Sequence, residues 1–400
     1  MKKQSLVIPV AALALATMLS PNHVTAQRPA SGYRPDEAPP PGSRYAQRAA
    51  AGAESPNKKP SYTRKFDLSG LPHYTPEEQV TGTLRIWGNN YIGDSNLADY
   101  WEQGFQKFQP GVKFDYNLPS AAIAIPSLYF DLADIAMDHD PLFYDYLGHV
   151  RIKGTEPIGF SAVTGSYNTG GWQTGLVVAV PKANPLSKLT LKQLDGIFGA
   201  ERFGAWIGTQ WHPEFTRGPE QNIRKWGELG LTGQWANQQI NPYGPSLVYE
   251  TAWGFANRVL QHSDKWNEHI RAYGNWKQAD GTNYGWMTHM ADEMKQDPYS
   301  IGIFIYNTDF SPELKVLALA GKEGGPYVEY NMDTQRERTY PLWTEQSLYV
   351  SPKPGQKLAP KIREFLRYVL SQEGQNEVQR DGKYLPLTAE VVRENLKKLE

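Results

Sequence analysis

The sequence predicts an α/β fold of two lobes, and three observations support this. Short apolar segments that suit buried strands alternate with amphipathic segments that suit helices. Several of these strands end directly in polar loops, which is where α/β sheets bind their ligands. The chain has 400 residues, 40% of them hydrophobic and 12% aromatic, which is enough for two packed cores and additional tails.

The clearest strand–helix–strand unit runs from Gly82 to Tyr116. An apolar run that stops at the turn-forming residues 88–90 predicts a buried strand followed by a polar loop. The next helix is expected to bury one stripe of side chains: Leu97, Tyr100, Trp101, Phe105 and Phe108. Because helix N-termini offer free N–H groups at the carboxyl ends of such strands, the loop 88–96 is the first candidate site.

Two further strands are predicted to end in polar groups. The apolar run 132–137 stops at Asp138, His139 and Asp140. The strand that begins near residue 240 stops at the segment 243–246, and a helix from about 251 to 260 follows. A ligand at residues 243–246 would therefore face the N-terminus of that helix.

A loop of small residues from Thr164 to Gly171, which includes Ser166, separates predicted strands at 158–163 and 176–180. Small residues leave backbone N–H groups open, so this loop suits an anion or a sugar hydroxyl. The alternative is a plain glycine-rich hairpin turn without a ligand.

The remaining elements are expected to build cores. Thr190 should cap a short helix that ends near Phe198, and strands are predicted at 299–305, 315–320 and 343–350. The last helix has the clearest amphipathic spacing, at positions i, i+3, i+4, i+7 and i+8: Ile362, Phe365, Leu366, Val369 and Leu370.

The N-terminus predicts export. Lys2 and Lys3 precede an apolar run to Leu19, and small residues surround a cleavage point after Ala26, so residues 1–26 are interpreted as a signal peptide rather than a membrane anchor. Residues 27–79 are rich in Pro, Gly and Ala and are interpreted as a disordered tether. In the alternative, the part 62–74 lies against the folded body.

Composition excludes several kinds of function. The formal net charge of −1 provides no field that would attract nucleic acid or an anionic membrane. The chain has no cysteine, so it has no disulfide, thiolate nucleophile, Cys-ligated metal or lipid-modified cysteine. We expect no cofactor and a monomer.

The chain resembles a known family, the phosphate-type substrate-binding proteins of bacterial ABC importers. The residues that carry the resemblance are LADIAMDHDPL, NPLSKLTLKQLDGIFG, DPYSIGIFIYN and the C-terminal segment with SQEGQ and YLPL, and the likeness spans about residues 81–387. It implies the two-lobed type II periplasmic-binding-protein fold, with a mixed sheet in each lobe and two crossovers between lobes. Lobe 1 is then expected at 80–162 and 338–400, and lobe 2 at 163–337.

The resemblance also implies a ligand site in the cleft between the lobes. The chain departs from the family where Asn89 and Asn90 follow Gly88, where the third loop is Asp138 to Asp140, and where the fourth loop lacks the family's arginine. The residues expected to bind the ligand are Gly88, Asn89, Asn90, Ser120, Asp138, His139, Thr164, Ser166, Tyr243, Gly244 and Ser246.

The leading hypothesis is an exported solute-binding protein, with ABC importer subunits as possible partners, that closes on a small polar ligand such as a phosphate-like oxyanion. Carbohydrate binding is an alternative, because 12 Trp and 23 Tyr offer faces that stack on sugars. A metal-assisted hydrolase that uses residues 138–140 is the other alternative. Two flanking carboxylates should raise the pKa of His139. Because the histidine loses its positive charge as the pH rises through that pKa, an oxyanion should then bind more weakly.

Overall fold

The computed structural model describes residues 61–93, 95–168, 174–306, 311–353 and 355–400. The predicted signal peptide, residues 27–60 of the predicted tether and residues 169–171 of the small-residue loop lie outside these ranges.

The strands and helices follow the chain in this order. The strands are β1 (Gly82–Gly88), β2 (Val112–Asn117), β3 (Ile135–Asp138), β4 (Ile158–Thr164), β5 (Leu176–Pro181), β6 (Lys188–Thr190), β7 (Ala205–Ile207), β8 (Gln210–His212), β9 (Asn241–Pro245), β10 (Arg271–Tyr273), β11 (Trp276–Lys277), β12 (Asn283–Tyr284), β13 (Ser300–Ile305), β14 (Leu314–Val316), β15 (Ala318–Ala320) and β16 (Glu345–Val350). The α-helices are α1 (Asn90–Gly93), α2 (Leu97–Gln106), α3 (Ala124–Tyr129), α4 (Phe143–Lys153), α5 (Leu191–Phe198), α6 (Glu250–Val259), α7 (Trp286–Met294), α8 (Met332–Arg336), α9 (Pro360–Val369), α10 (Gln372–Asp381) and α11 (Ala389–Lys397). Short 3-10 helices lie at Ala121–Ile123, Pro213–Phe215, Pro219–Gln221, Trp226–Leu229 and Gly233–Trp235.

Two five-stranded mixed sheets organise the described chain, which confirms the predicted fold class. The first sheet has the order β2-β1-β3-β16-β4, in which β16 runs antiparallel to its neighbours β3 and β4. The second has the order β10-β9-β13-β5-β14, in which β5 runs antiparallel to β13 and β14. The chain crosses from the first sheet to the second between β4 and β5, and it returns to the first at β16. We call the first sheet with its core the first lobe, and the second sheet with its core the second lobe.

Each sheet has its own hydrophobic core. The first core contains the buried faces of α2, α9 and α10, and the second contains those of α5, α6 and α7. Of the predicted stripe, Leu97, Trp101 and Phe105 are fully buried, whereas Tyr100 and Phe108 are partly buried. In α9, Phe365, Leu366 and Val369 are buried in the first core. Thr190 caps α5 by accepting a hydrogen bond from the Gln193 N–H at 3.1 Å.

The segment 61–80 belongs to the folded body, so the tether boundary predicted at residue 79 lies too far along the chain. Phe66, Leu68, Leu71 and Tyr74 are buried in the first core. Apolar side chains at this spacing gain more from burial than the segment loses in chain entropy. The structure instead agrees with the alternative prediction, in which residues 62–74 lie against the folded body.

Among the described residues, none of the helices combines the length and apolar character that crossing a bilayer requires.

Candidate functional site

The carboxyl ends of β1 and β3 meet at one edge of the first sheet. The two strands are parallel, and Gly88 pairs with Met137. The Asn89 N–H continues this pairing by donating to the Met137 carbonyl at 2.9 Å. Gly88 has φ +135°, and a Cβ on it would lie 2.2 Å from the Met137 oxygen, so the backbone here requires glycine. The loops that follow the two strands are thereby held side by side.

His139 is the centre of this edge. Its side chain is buried, and its Nδ1 lies 3.0 Å from Asn89 Nδ2 and 3.3 Å from Gln346 Nε2. The ring also stacks on Tyr91, with centroids 6.4 Å apart. Two amide donors at Nδ1 leave Nε2 as the nitrogen that carries hydrogen in the neutral ring. When the ring is protonated, Nδ1 also carries a hydrogen. A 180° rotation of the Gln346 side-chain amide would let its Oε1, which has no hydrogen-bond partner, accept that hydrogen.

The other nitrogen of His139 reaches across to the second lobe. Nε2 lies 3.1 Å from Glu250 Oε2, and Glu250 is the first residue of α6. This is an ion-pair distance, although Nε2 makes no well-aligned hydrogen bond. Asp140 Oδ1 also contacts α6, at 3.3 Å from Asn257 Nδ2 and 3.4 Å from Arg258 NH1. The loop 138–140 therefore packs on α6 of the other lobe.

A cavity of about 40 Å³ lies next to this contact. We call it the cleft cavity. Its lining comes from both lobes and from the two crossover segments: Tyr91, Asp140, Thr174, Leu176, Glu250, Thr251, Gly254, Ile305 and Thr344. Thr174 is 1% exposed, and its hydroxyl has no hydrogen-bond partner. A buried hydroxyl that lines a cavity without a partner is available to a ligand.

The charges around His139 shift one another's pKa. Burial raises the pKa of Asp138 to about 7, against the opposing effect of His139. Burial alone would lower the pKa of His139, but the carboxylates of Glu250, Asp140 and Asp138 outweigh burial and raise it. Burial likewise opposes ionisation of Glu250, but His139 outweighs it and lowers the pKa of that carboxyl. The pair of His139 and Glu250 is thus stabilised in its charged form.

Several residues expected to bind a ligand lie near this edge. Asn89, Asp138 and His139 are in contact, and His139 N–H donates to Asp138 Oδ1 at 2.7 Å. The Ser120 N–H donates to the Gly88 carbonyl at 3.0 Å, while the Ser120 hydroxyl accepts from Ala122 N. The Ser120 side chain thus caps a 3-10 helix.

The remaining candidates of the first lobe and the first crossover are Asn90, Thr164 and Ser166. Asn90 begins α1. Thr164 is buried at the end of β4, and its N–H donates to the Leu385 carbonyl at 2.9 Å. Ser166 is buried in the first crossover. None of the residues expected to bind the ligand, His139 included, belongs to the described lining of the cleft cavity.

The prediction that Tyr243, Gly244 and Ser246 line the cleft is not supported by their positions. Tyr243 is 1% exposed in the second core, and its hydroxyl donates to Asp297 Oδ2 at 3.0 Å. Gly244 is buried in β9 next to the Ile270 side chain, and the Ser246 N–H donates to the Tyr273 carbonyl. The reason is that β9 continues to Pro245, which keeps residues 243 and 244 inside the strand.

Glu250, Thr251 and Thr174 line the cavity but were absent from the predicted set. A signal existed for Glu250 and Thr251, because the helix predicted from about residue 251 was expected to point its N-terminus at the ligand. Thr174 follows the small-residue loop, and no pattern in the sequence around it indicates a binding residue.

The described residues hold no group of three or more His, Cys, Asp or Glu side chains that could bind a metal ion. Asp138 binds the His139 N–H, whereas Asp140 contacts Asn257 and Arg258. The two carboxylates therefore have different partners.

Comparison with known proteins identifies relatives of most of the folded part. The family model of the PBP superfamily domain matches residues 93–373. The phosphate-binding protein PstS of Pseudomonas aeruginosa is 28% identical over 332 residues, which cover 82% of this chain and 90% of that protein. These matches confirm the resemblance expected from the sequence.

Solved structures are also similar. An ABC-type phosphate transport receptor from Vibrio cholerae matches with a TM-score of 0.46 and 15% identity, over 76% of this chain and 99% of that chain. PstS from Borrelia burgdorferi matches with a TM-score of 0.46 and 13% identity, over 78% of this chain and 100% of that one.

Proposed function

Because the chain belongs to the PBP superfamily, we propose that it is an exported, phosphate-type solute-binding protein that holds a small oxyanion in the cleft cavity. The Pseudomonas aeruginosa relative that bears the name phosphate-binding protein supports this ligand class. Export through residues 1–26, a periplasmic or secreted location, a monomeric state and delivery to ABC importer subunits are parts of the same proposal. Binding and release, without catalysis, are the activity.

The observation that carries the proposal is that both lobes meet at the cleft cavity with polar groups. Asp140, in the loop after β3, lines the cavity from the first lobe, while Glu250 and Thr251 line it from the N-terminus of α6. His139 is not part of this described lining and reaches it through Glu250, at 3.1 Å. A helix N-terminus favours negative charge, because its first N–H groups lack partners within the helix. A ligand between them would contact both lobes and so favour their closure.

The protonation states of the carboxyls, of His139 and of the ligand decide which oxyanion this site can hold. Arg258 is a cation near the cleft, but its guanidinium is paired with Asp140 at 3.4 Å and so is not free to bind an anion. His139 lowers the pKa of Glu250, so this carboxyl is ionised and a fully deprotonated anion meets like charge there. A monobasic oxyanion presents a hydroxyl as well as anionic oxygens. It can therefore donate to a carboxylate while His139 donates to it.

The two alternative functions have less support. Tyr91 is the aromatic residue among those described as lining the cavity, whereas sugar sites rely on broad aromatic faces. The different partners of Asp138 and Asp140 do not favour a shared metal.

Calorimetric titration of the mature protein tests the proposal. We expect inorganic phosphate to bind between about pH 5.5 and pH 8, and to bind more weakly as the pH rises through the pKa of His139. His139→Ala should weaken binding and reduce this pH dependence to the part that comes from the ligand's own loss of a proton. If no oxyanion binds at any pH, the proposal is wrong. If phosphate binds equally at every pH in both proteins, His139 has no part in binding.

A further inference from the structure

We propose that the physiological ligand is an oxyanion that also carries an ammonium group on a short carbon chain, in the manner of an aminoalkyl phosphate. This inference rests on the proposed function and names its ligand class. It comes from the charges, the apolar wall and the unpaired hydroxyl of the cleft cavity.

Carboxylates are the charged groups that line the cavity. Asp140 and Glu250 are both present, and the described lining contains no lysine or arginine. Asp140 is compensated by Asn257 and Arg258. Glu250 is compensated by His139 at 3.1 Å, in a contact that spans the two lobes. The positive charge of His139 is therefore already matched before a ligand arrives.

An anion that takes the His139 Nε2 must displace Glu250. The Glu250 side chain is only 33% exposed, so its carboxylate would lose its partner in a partly desolvated place. It would then face the incoming anion, and an uncompensated charge of this kind is costly. A ligand ammonium at Glu250 removes this cost, because the ligand then replaces both members of the ion pair with its own two charges.

The rest of the cavity lining fits the same kind of molecule. Leu176 and Ile305 give one part of the cavity an apolar wall, for which a bare phosphate has no matching surface. A chain of one or two methylene groups does have such a surface. The buried Thr174 hydroxyl, which lacks a partner, can donate to a phosphate oxygen. The cavity lining thus offers a free hydroxyl, an apolar wall and carboxylates, and the anionic part of a ligand reaches His139 by displacing Glu250.

The test compares four compounds by calorimetry: inorganic phosphate, ethyl phosphate, aminoethyl phosphate and ethanolamine. Ethyl phosphate and aminoethyl phosphate share the anion and the carbon chain and differ in the ammonium group. We expect aminoethyl phosphate to bind about ten- to a hundredfold more tightly than ethyl phosphate, as a charged hydrogen bond provides.

Glu250→Gln should reduce that ratio to nearly one, because the amide no longer attracts the ammonium. Glu268→Gln is the matched control, because Glu268 forms a pair with His269 at 3.5 Å on the exposed surface. It should leave the ratio unchanged. The comparison of ligands on the unaltered protein tests the inference even if the Glu250 variant folds poorly.

Each result has a distinct meaning. If ethyl phosphate binds as tightly as aminoethyl phosphate, the ammonium inference is overturned and the proposed oxyanion function stands. If the ratio survives Glu250→Gln, Glu250 does not recognise the ammonium, and the inference is again overturned. If ethanolamine binds but no phosphate compound does, the proposed function is overturned together with it.

Discussion

His139 Nε2 lies 3.1 Å from Glu250 Oε2, and the two residues belong to different lobes. Glu250 opens the helix α6, at the position where an anion bound by that helix terminus would lie. The carboxylate of the protein itself thus occupies an anion position beside a buried imidazole. This contact links the protonation of His139 to the fit between the lobes.

The first prediction concerns the protonation of His139. Its pKa should lie above 6.5, because nearby carboxylates outweigh the effect of burial. A histidine whose pKa is raised in the folded state stabilises the fold fully below the unfolded pKa of about 6.5, and this contribution is lost as the pH rises through the folded pKa. Nuclear magnetic resonance titration of the imidazole should show the raised pKa, and Glu250→Gln should lower it.

A matched measurement uses His262, whose pKa burial lowers although Asp140 opposes the shift. Its titration should stay below 6.5 and change little in the Glu250 variant. An unchanged His139 titration in Glu250→Gln would show that the interlobe pair does not control its proton.

The second prediction concerns the glycine at the end of β1. Gly88→Ala places a Cβ 2.2 Å from the Met137 carbonyl oxygen at φ +135°, so the loop that holds Asn89 must move. We expect a loss of about 3 kcal/mol or more in the free energy of unfolding. Gly82 is the control, because it has φ +100° with open space around its Cβ position. Gly82→Ala should cost about 1–2 kcal/mol, and equal losses in denaturant unfolding would contradict the clash.

The fold was largely predictable because its signals are local. Within α2 and within α9, the apolar residues that form the buried face are only three or four positions apart. The cap of α5 likewise involves only Thr190 and Gln193, three residues apart. The meeting of Asn89 with His139 was also predictable, since parallel neighbouring strands end at the same edge of a sheet.

The second-lobe part of the site was less predictable. The exact end of β9 decides whether Tyr243 faces the cleft or the core, and turn-forming residues such as Gly244 and Pro245 did not stop the strand. The partner of Glu250 lies far away along the chain, so the sequence around Glu250 contains no sign of the contact with His139.

The third prediction concerns the packed segment 61–80. The Tyr74 hydroxyl donates to Glu364 Oε2 at 2.7 Å and accepts from Gln109 Nε2 at 3.1 Å, while the Glu364 side chain is fully buried. Tyr74→Phe leaves a buried carboxylate and an amide without this partner. The free energy of unfolding should fall by about 2–3 kcal/mol. Tyr144→Phe, at a side chain that is 76% exposed, should change it by less than about 0.5 kcal/mol. A segment that is a mere tether would give the same small change in both variants.

The fourth prediction concerns a second contact between the lobes, at the hairpin formed by β7 and β8. The Glu156 carboxylate, just before β4, accepts hydrogen bonds from the Thr209 N–H at 2.6 Å and from the Thr209 hydroxyl at 2.5 Å. Beside it, the rings of Phe143 and Trp206 have centroids 4.9 Å apart. The first residue of each pair lies between β3 and β4 of the first lobe. The second lies in the hairpin, which is inserted between α5 and β9 of the second lobe, so both contacts join the lobes.

Glu156→Ala should release the hairpin, because the carboxylate that holds two donors of Thr209 is removed. Limited proteolysis should then cleave within residues 205–212 several-fold faster, and a ligand that needs the closed lobes should bind more weakly, because the closed state is less populated. Trp206→Ala should act in the same direction by removing the contact with Phe143. Trp211→Ala is the control, because Trp211 packs edge-to-face against Trp206 within the hairpin and is 46% exposed. If all three variants are cleaved at the rate of the unaltered protein, the hairpin does not hold the lobes together. If Trp211→Ala alone accelerates cleavage, the packing inside the hairpin, rather than its contact with the first lobe, protects it.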